Sequence, residues 1–236
     1  MTCILLTGSS RGIGAAARTA LEARGAKVIG QSTSGEGFGT LAADFRDPDA
    51  PHQLWDAALR QAGGEIDVLV NNAGLFDPNP IDQSDEDWLQ GWEQTMRINL
   101  TASAQLSRLA VRHWIEREAT GRIVHVASRA GHRGDSPAHW HYAASKGGML
   151  AMHKTIARQY AANGILSFAI TPGFTDTAMA GDYLESRGGE GLLADIPLGR
   201  VAEPEEIARI VEFLSLDAPP SLTGATLDAN GASYVR

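Results

Sequence analysis

Cysteine is nearly absent: Cys3 is the only one in 236 residues. No disulfide can form within the chain, and the place of Cys3 in the apolar run Cys3-Ile4-Leu5-Leu6 marks it as a small core residue rather than a nucleophile. Long apolar runs are missing as well, and no stretch approaches the roughly eighteen uninterrupted residues that a membrane-spanning helix requires. Nor is there a block of lysine and arginine. With 28 acids against 20 bases the formal net charge is −8, a balance that does not track a phosphate backbone, so neither nucleic acid nor a membrane is expected as a partner. The opening Met1-Thr2-Cys3-Ile4-Leu5-Leu6-Thr7 carries no basic segment and no long apolar one, which predicts a cytoplasmic protein. The seven histidines show no paired ligand spacing, and no metal site is expected.

Glycine is what the chain has in excess, 26 of 236 residues against a usual share of about 7%, and it signals tight turns and close backbone approaches. Short runs of valine, isoleucine and leucine at 4–7, 27–30, 40–43, 66–71, 122–127, 165–171 and 225–228 alternate with longer segments of helical period at 12–24, 85–118, 142–162 and 204–215. The second of these helical segments is expected to break near 94–99. Most of the strand runs lack polar alternation, as when both faces of a parallel sheet are covered. No linker divides the chain, so residues 1–236 read as one domain. The link 31–39 is too short for a crossover helix, because parallel strands normally need a dozen or more connecting residues. Either the third strand is misplaced or this link is a bare glycine and serine loop. The five tryptophans are scattered and offer no stacking platform.

Directly after the first strand comes Thr7-Gly8-Ser9-Ser10-Arg11-Gly12-Ile13-Gly14, and a helix follows at once. Strand, glycine turn and helix in this order suit a dinucleotide. Gly8 permits the turn, Gly12 lets backbone amides approach a pyrophosphate, Gly14 lets helix and strand pack, and the helix N-terminus supplies unpaired N–H groups and partial positive charge. The implied fold class is α/β, a single-domain Rossmann-type doubly wound sheet of about seven parallel strands with helices on both faces.

Tyr142 and Lys146 lie four residues apart in a helical segment and project from one face. An ammonium beside a phenol favours the phenolate and is expected to lower the Tyr142 pKa, making it a workable acid and base. Ser128 ends the fifth strand, where open parallel sheets place their ligands, and its hydroxyl can reach a substrate oxygen. Asn99 is polar within an apolar helical stripe and reads either as a site residue or as a cap or kink. Asn71-Asn72-Ala73-Gly74 ends the fourth strand with two amides and a glycine, suited to closing the cleft from the other side.

Thr7 to Gly14, Asn71 to Gly74, Asn99, Ser128, Tyr142 with Lys146, and Pro172-Gly173 together resemble the short-chain dehydrogenase/reductase family over the whole chain. The runs 24–30 and 199–208 are similar to the branch containing 3-oxoacyl-carrier-protein reductases. The resemblance implies a hydride exchange between a nicotinamide cofactor and a carbonyl or secondary alcohol of a small molecule. In it Tyr142 moves the proton, Ser128 holds the substrate oxygen, Lys146 binds the ribose and Asn99 anchors a water relay. It further implies cofactor contacts from Gly8, Ser10, Arg11, Gly12, Ile13, Gly14, Asp44, Asn71, Ala73, Gly74, Pro172, Gly173, Thr175 and Thr177. A homotetramer is also implied, with Trp114 or Trp140 in an interface. Ser128 and Tyr142 are fourteen residues apart, one more than usual in the family, so a small bulge is expected between them.

The second strand ends in Gly30-Gln31-Ser32-Thr33 with no acid to hold a ribose 2′-hydroxyl, and Arg11 sits in the phosphate loop, so NADP(H) is favoured over NAD(H). Glu36 is the competing carboxylate. Asp44 reads as an adenine contact or a surface cap. His139 and Trp140, just before Tyr142, are expected to shape the substrate pocket, and residues 174–200 to form a lid over it. Two other readings stand beside the reductase: an NAD-dependent alcohol dehydrogenase running oxidatively, and a non-catalytic dinucleotide sensor. A sensor would ordinarily have lost Ser128, Tyr142 or Lys146.

Overall fold

The computed structural model describes residues 1–37, 39–176 and 193–236. Its strands are β1 (Cys3–Leu6), β2 (Lys27–Ser32), β3 (Thr40–Ala42), β4 (Val68–Asn71), β5 (Gly121–Val126), β6 (Ile165–Pro172) and β7 (Thr226–Ala229). They form one sheet in the order β3-β2-β1-β4-β5-β6-β7, with every pairing parallel. The order reverses between β1 and β4, and at such a switch point the C-terminal strand ends open a crevice for ligands. The helices are α1 (Gly12–Ala23), α2 (Ala50–Ala62), α3 (Asp85–Met96), α4 (Ala102–Glu116), α5 (Ala130–Arg133), α6 (Trp140–Tyr160) and α7 (Pro204–Leu216).

Strand alternation sorts the apolar side chains onto two faces. Leu5, Ile29, Leu69 and Ile123 pack with Leu54 and Trp55 of α2 and Leu106 and Trp114 of α4. Ile4, Leu6, Val28, Val70 and Val124 pack on the opposite side with Leu21 of α1 and Val211 and Leu214 of α7. Every residue of β1, β4 and β6 is thus covered whichever way it points, which is why these inner strands read as apolar runs. Trp114 belongs to this core. It is 1% exposed, its indole N–H donates to the carbonyl of Ile66 at 2.7 Å, and its ring fills the space beside Gly121 where a Cβ would lie. This corrects its placing in a subunit interface: an indole with its apolar body packed and its N–H satisfied by the main chain just before β4 has nothing left to offer a partner.

Helix signals match the ends they predict. Ser84 caps α3 by accepting from the Asp87 N–H, with Asp85, Glu86 and Asp87 in the first turn, and α7 opens on a reciprocal Glu203–Glu206 box with Pro204 in its first turn. The expected break in the long segment is a π-helical turn at Arg97–Thr101. The β2–β3 link is a bare loop. Its Gly35 and Gly39 sit in the left-handed region at φ 74° and 67°, and Gly30 N–H donates to the Gly39 carbonyl at 3.0 Å, so the chain returns to a parallel neighbour without a helix. The stretch between Ser128 and Tyr142 holds the short α5 followed by a turn at Gly134, φ 82°.

Candidate active site

The phosphate loop is braced from three strands. Thr7 Oγ1 accepts from the N–H groups of Asn72 at 2.9 Å and Ala73 at 3.0 Å, and the Asn72 amide donates to the carbonyls of Thr7 and Gly8 at 3.0 Å each. From the other side Gly8 N–H donates to Gln31 Oε1 at 2.9 Å, while Gln31 Nε2 donates to the Ala43 carbonyl at 2.7 Å. Gly14 faces the Gly8 carbonyl so closely that a Cβ would overlap it. No side chain caps α1 and no acid stands in its first turn, so its positive end faces the cleft uncompensated and fits a pyrophosphate.

The cleft, about 300 Å³, runs from this loop to the ends of β5 and β6, a volume in the range of small-molecule and cofactor sites. Ser10, Arg11, Gly12, Ile13, Ala73, Gly74, Ser128, Tyr142, Lys146, Pro172, Gly173 and Thr175 all line it, as does Asp44. Arg46 donates to Asp44 from Nε at 3.0 and 2.9 Å, and these bonds hold the Asp44 carboxyl below its ordinary range. Thr177 lies outside the described residues, as does 177–192 of the expected lid.

At the end of the cleft away from the glycine loop Tyr142 and Lys146 stand one turn apart on α6, with the Lys146 Nζ 5.8 Å from the tyrosine ring centre. Nζ donates to the Val126 carbonyl at 2.9 Å, which fixes the ammonium under the end of β5. Burial pushes Lys146 down to about 8. Burial also pushes Tyr142 up to about 12, with the Ser128 hydroxyl bonded to it pulling down and Asp135 adding to the rise. The expectation of a lowered phenol is therefore corrected for the protein alone: desolvation outweighs the Ser128 hydrogen bond, and the phenol keeps its proton.

Asn99 is fully buried in the π-helical turn. Its Oδ1 accepts from Leu75 N–H at 2.7 Å, and its Nδ2 donates to the Leu75 carbonyl at 3.0 Å and to Ser145 Oγ at 3.2 Å. Its main-chain carbonyl accepts from Ser103 Oγ at 3.1 Å. Asn99 thus clamps the segment after β4 to the helix that carries Tyr142.

Asn99 itself does not line the cleft, and three further expected residues lie off its wall. The Asn71 amide turns beneath the sheet, donating to Ser107 Oγ at 3.0 Å beside His125 Nδ1, and the neighbouring Asn72 lines the cleft instead. His139 stacks on Phe76 with ring centres 4.0 Å apart, and Phe76 in turn meets the Tyr142 ring edge-on at 4.7 Å, so His139 acts through Phe76. Trp140 is 56% exposed and joins Trp88 and Trp92 in a surface aromatic cluster, contrary to the scattered reading. Sequence reasoning missed Gln31 and Phe76 as cleft residues, whereas Arg129 and Asp135 belong to the loop between Ser128 and Tyr142, read from the sequence as lining the substrate pocket, and do line the cleft. No motif marked Gln31 or Phe76 as a cleft residue. Among the described residues no cluster of three or more His, Cys, Asp or Glu could hold a metal, and no helix is long and apolar enough to cross a membrane.

Comparison with known proteins agrees with this geometry. A family model described as enoyl-(acyl carrier protein) reductase matches residues 8–231. The chain is 35% identical to the 3-oxoacyl-acyl-carrier-protein reductase of Escherichia coli, over 98% of its own length and 96% of that protein. It is 34% identical to the Salmonella typhimurium reductase and 33% identical to that of Pseudomonas aeruginosa, each with the same coverage. A parallel sheet of this order, a glycine loop at the switch point and full-length likeness to these reductases leave one conclusion, that the chain belongs to the short-chain dehydrogenase/reductase family.

Proposed function

We propose that the protein reduces a carbonyl compound with NADPH, Tyr142 giving the proton. The observation that carries this reading is the convergence of Ser128, Tyr142 and Lys146 in the cleft that also contains the glycine loop. A retained set of this kind favours an enzyme over a dinucleotide sensor. The bound nicotinamide would supply hydride to the carbonyl carbon. Ser128 and Tyr142 would both donate to the substrate oxygen, and Tyr142 would release its proton to that oxygen as negative charge develops there. Burial suits the phenol to this role, because it keeps the proton at neutral pH until an oxyanion claims it. Lys146, fixed by the Val126 carbonyl, would hold the nicotinamide ribose, and Asn99 would anchor a water relay back to Lys146. Tyr142 can run the same exchange in reverse, so alcohol oxidation uses the same residues.

Preference for NADPH over NADH rests on Arg11, Ser32 and Thr33, which line the cleft where an acid would otherwise meet a ribose 2′-hydroxyl. The curated relatives are named for 3-oxoacyl groups on a carrier protein, which puts 3-oxoacyl thioesters among the candidates. A homotetramer is part of this reading, checked by sedimentation at micromolar concentration.

The test is NADPH oxidation over a panel of ketones, quinones, sugars and 3-oxoacyl thioesters. Tyr142→Phe is expected to lower turnover at least about 100-fold, the usual worth of an acid/base group, with NADPH affinity nearly unchanged. Near-normal turnover in that variant overturns the assignment.

A further inference from the structure

Ser128 is seated by the short helix that follows it. Its Oγ accepts from the Ala130 N–H at 3.1 Å, and its main-chain carbonyl accepts from the Gly131 N–H at 3.0 Å. With the oxygen engaged by α5, the hydroxyl hydrogen is left to point at Tyr142 or at a substrate oxygen. α5 rests in turn on α6, because a Cβ at Gly131 would overlap the Lys146 carbonyl and the two backbones therefore touch. A helix of four residues does not hold itself, since isolated helices shorter than about 12–15 residues are marginal in water. It needs support from a second side.

That support is the turn after β7. Tyr234 stacks on His132 with ring centres 5.6 Å apart and planes 14° from parallel, and Arg133 Nη1 donates to the Ser233 carbonyl at 3.1 Å. The turn is closed by the Asn230 side chain in both directions, Oδ1 accepting from the Tyr234 N–H at 3.2 Å and Nδ2 donating to the Tyr234 carbonyl at 3.1 Å. Ser233 Oγ adds a bond to the Asn230 carbonyl at 2.6 Å. Within it Ala232 takes a left-handed φ of 64°, a conformation that a residue with a Cβ keeps only where its surroundings impose it. The base of the turn is fixed as well. Gly173 N–H donates to the Ala229 carbonyl at 3.1 Å, and a Cβ at Gly173 would overlap Asn230. The turn thus stands on the loop leaving β6 and reaches across to α5, which is held between it and α6.

We propose that the turn 230–234 is a positioning element for the reaction, and that through Tyr234 and Arg133 it holds Ser128 at its place beside Tyr142. The inference rests on the reductase reading above and extends it to residues that do not line the cleft. A hydroxyl that must meet a developing oxyanion tolerates little displacement, and a shift of about 1 Å can cost about 100-fold in rate.

The experiment measures kcat and KM for one carbonyl substrate of the panel above, with NADPH affinity by fluorescence titration, in Tyr234→Ala and Arg133→Met. Each variant is expected to lower kcat about five- to tenfold, with KM and NADPH affinity within about threefold of native. Tyr234→Phe, which keeps the stacked ring, is expected to hold kcat within about twofold of native. Dependence on Ser128 is the decisive readout. In a Ser128→Ala background Tyr234→Ala should cost less than about twofold, because residues that act through one another are not additive. The proposal is overturned if both single variants keep native kcat, if NADPH affinity falls as far as kcat, or if Tyr234→Ala costs as much without the Ser128 hydroxyl as with it. If the native protein reduces no carbonyl compound, the reductase reading fails and the proposal with it. Native turnover that survives the loss of either tie removes the proposal and leaves that reading standing.

Discussion

Asn99 and Ser145 are bonded side chain to side chain at 3.2 Å, and Ser145 Oγ also donates to the Tyr142 carbonyl at 2.7 Å. Through this pair the π-helical turn and the helix of the reacting phenol are held at one spacing. Removing the amide takes the partner from both main-chain polar groups of half-buried Leu75, at up to about 1–3 kcal/mol for each unsatisfied group. Asn99→Ala is therefore expected to lower the melting temperature by several degrees and turnover at least about tenfold, measured by thermal denaturation and by carbonyl-dependent NADPH oxidation. Unchanged stability would contradict the clamp.

Gly14 gives a sharper separation of binding from folding. A methyl group there meets the Gly8 carbonyl, and overpacking of this kind costs about 1–3 kcal/mol. The strain falls on the phosphate loop, so Gly14→Ala should weaken dinucleotide binding at least about tenfold in a fluorescence titration. Native affinity in that variant would mean the loop is softer than its bracing implies.

Cofactor choice can be tested at two positions. A charged hydrogen bond to a 2′-phosphate is worth about 1.5–3 kcal/mol, so Arg11→Ala should raise the Kd of NADPH about tenfold or more and leave NADH nearly unchanged. Ser32→Asp should weaken NADPH and strengthen NADH, because a carboxylate repels the phosphate and accepts from a hydroxyl. Tighter NADH than NADPH binding in the native protein would reverse the assignment.

His125 and His153 predict acid lability. Both are fully buried, and burial pushes His125 down to about 3 and His153 down to about 4. Between those values and the ordinary imidazole value of about 6.5 the unfolded chain binds protons that the folded chain refuses. Stability consequently rises with pH across that window and is lost as pH falls below about 6.5, by roughly 1.4 kcal/mol per unit for each group. Melting temperature should drop steeply from pH 6.5 to 4.5, and less so in a His125→Asn, His153→Asn double variant. Imidazole NMR signals from either residue that titrate near pH 6.5 in the folded protein would refute the claim.

Much of this architecture was readable because parallel strands covered on both faces are unbroken apolar runs, and β1, β5 and β6 lie within a residue or so of those runs. The glycine loop and the Tyr142–Lys146 spacing were equally local. What escaped was set by parity or by tertiary packing. Leu69 and Asn71 share a face of β4, so the Asn71 amide follows Leu69 towards α4 and only Asn72, past the strand, turns to the cleft. Trp88 and Trp92 stack one turn apart on α3, but Trp140 lies far along the chain and meets Trp88 only once α3 packs on α6. The sign of the Tyr142 shift needed burial, which spacing does not report.

The Gln31 amide works in both directions at once, receiving at oxygen from Gly8 and giving at nitrogen to Ala43. A carboxylate at this position could keep the first bond, but it would set a second oxygen against the Ala43 oxygen with no hydrogen between them. Drift towards a different dinucleotide is therefore barred at residue 31 and open at 32 and 33, where no such two-way lock has to be broken.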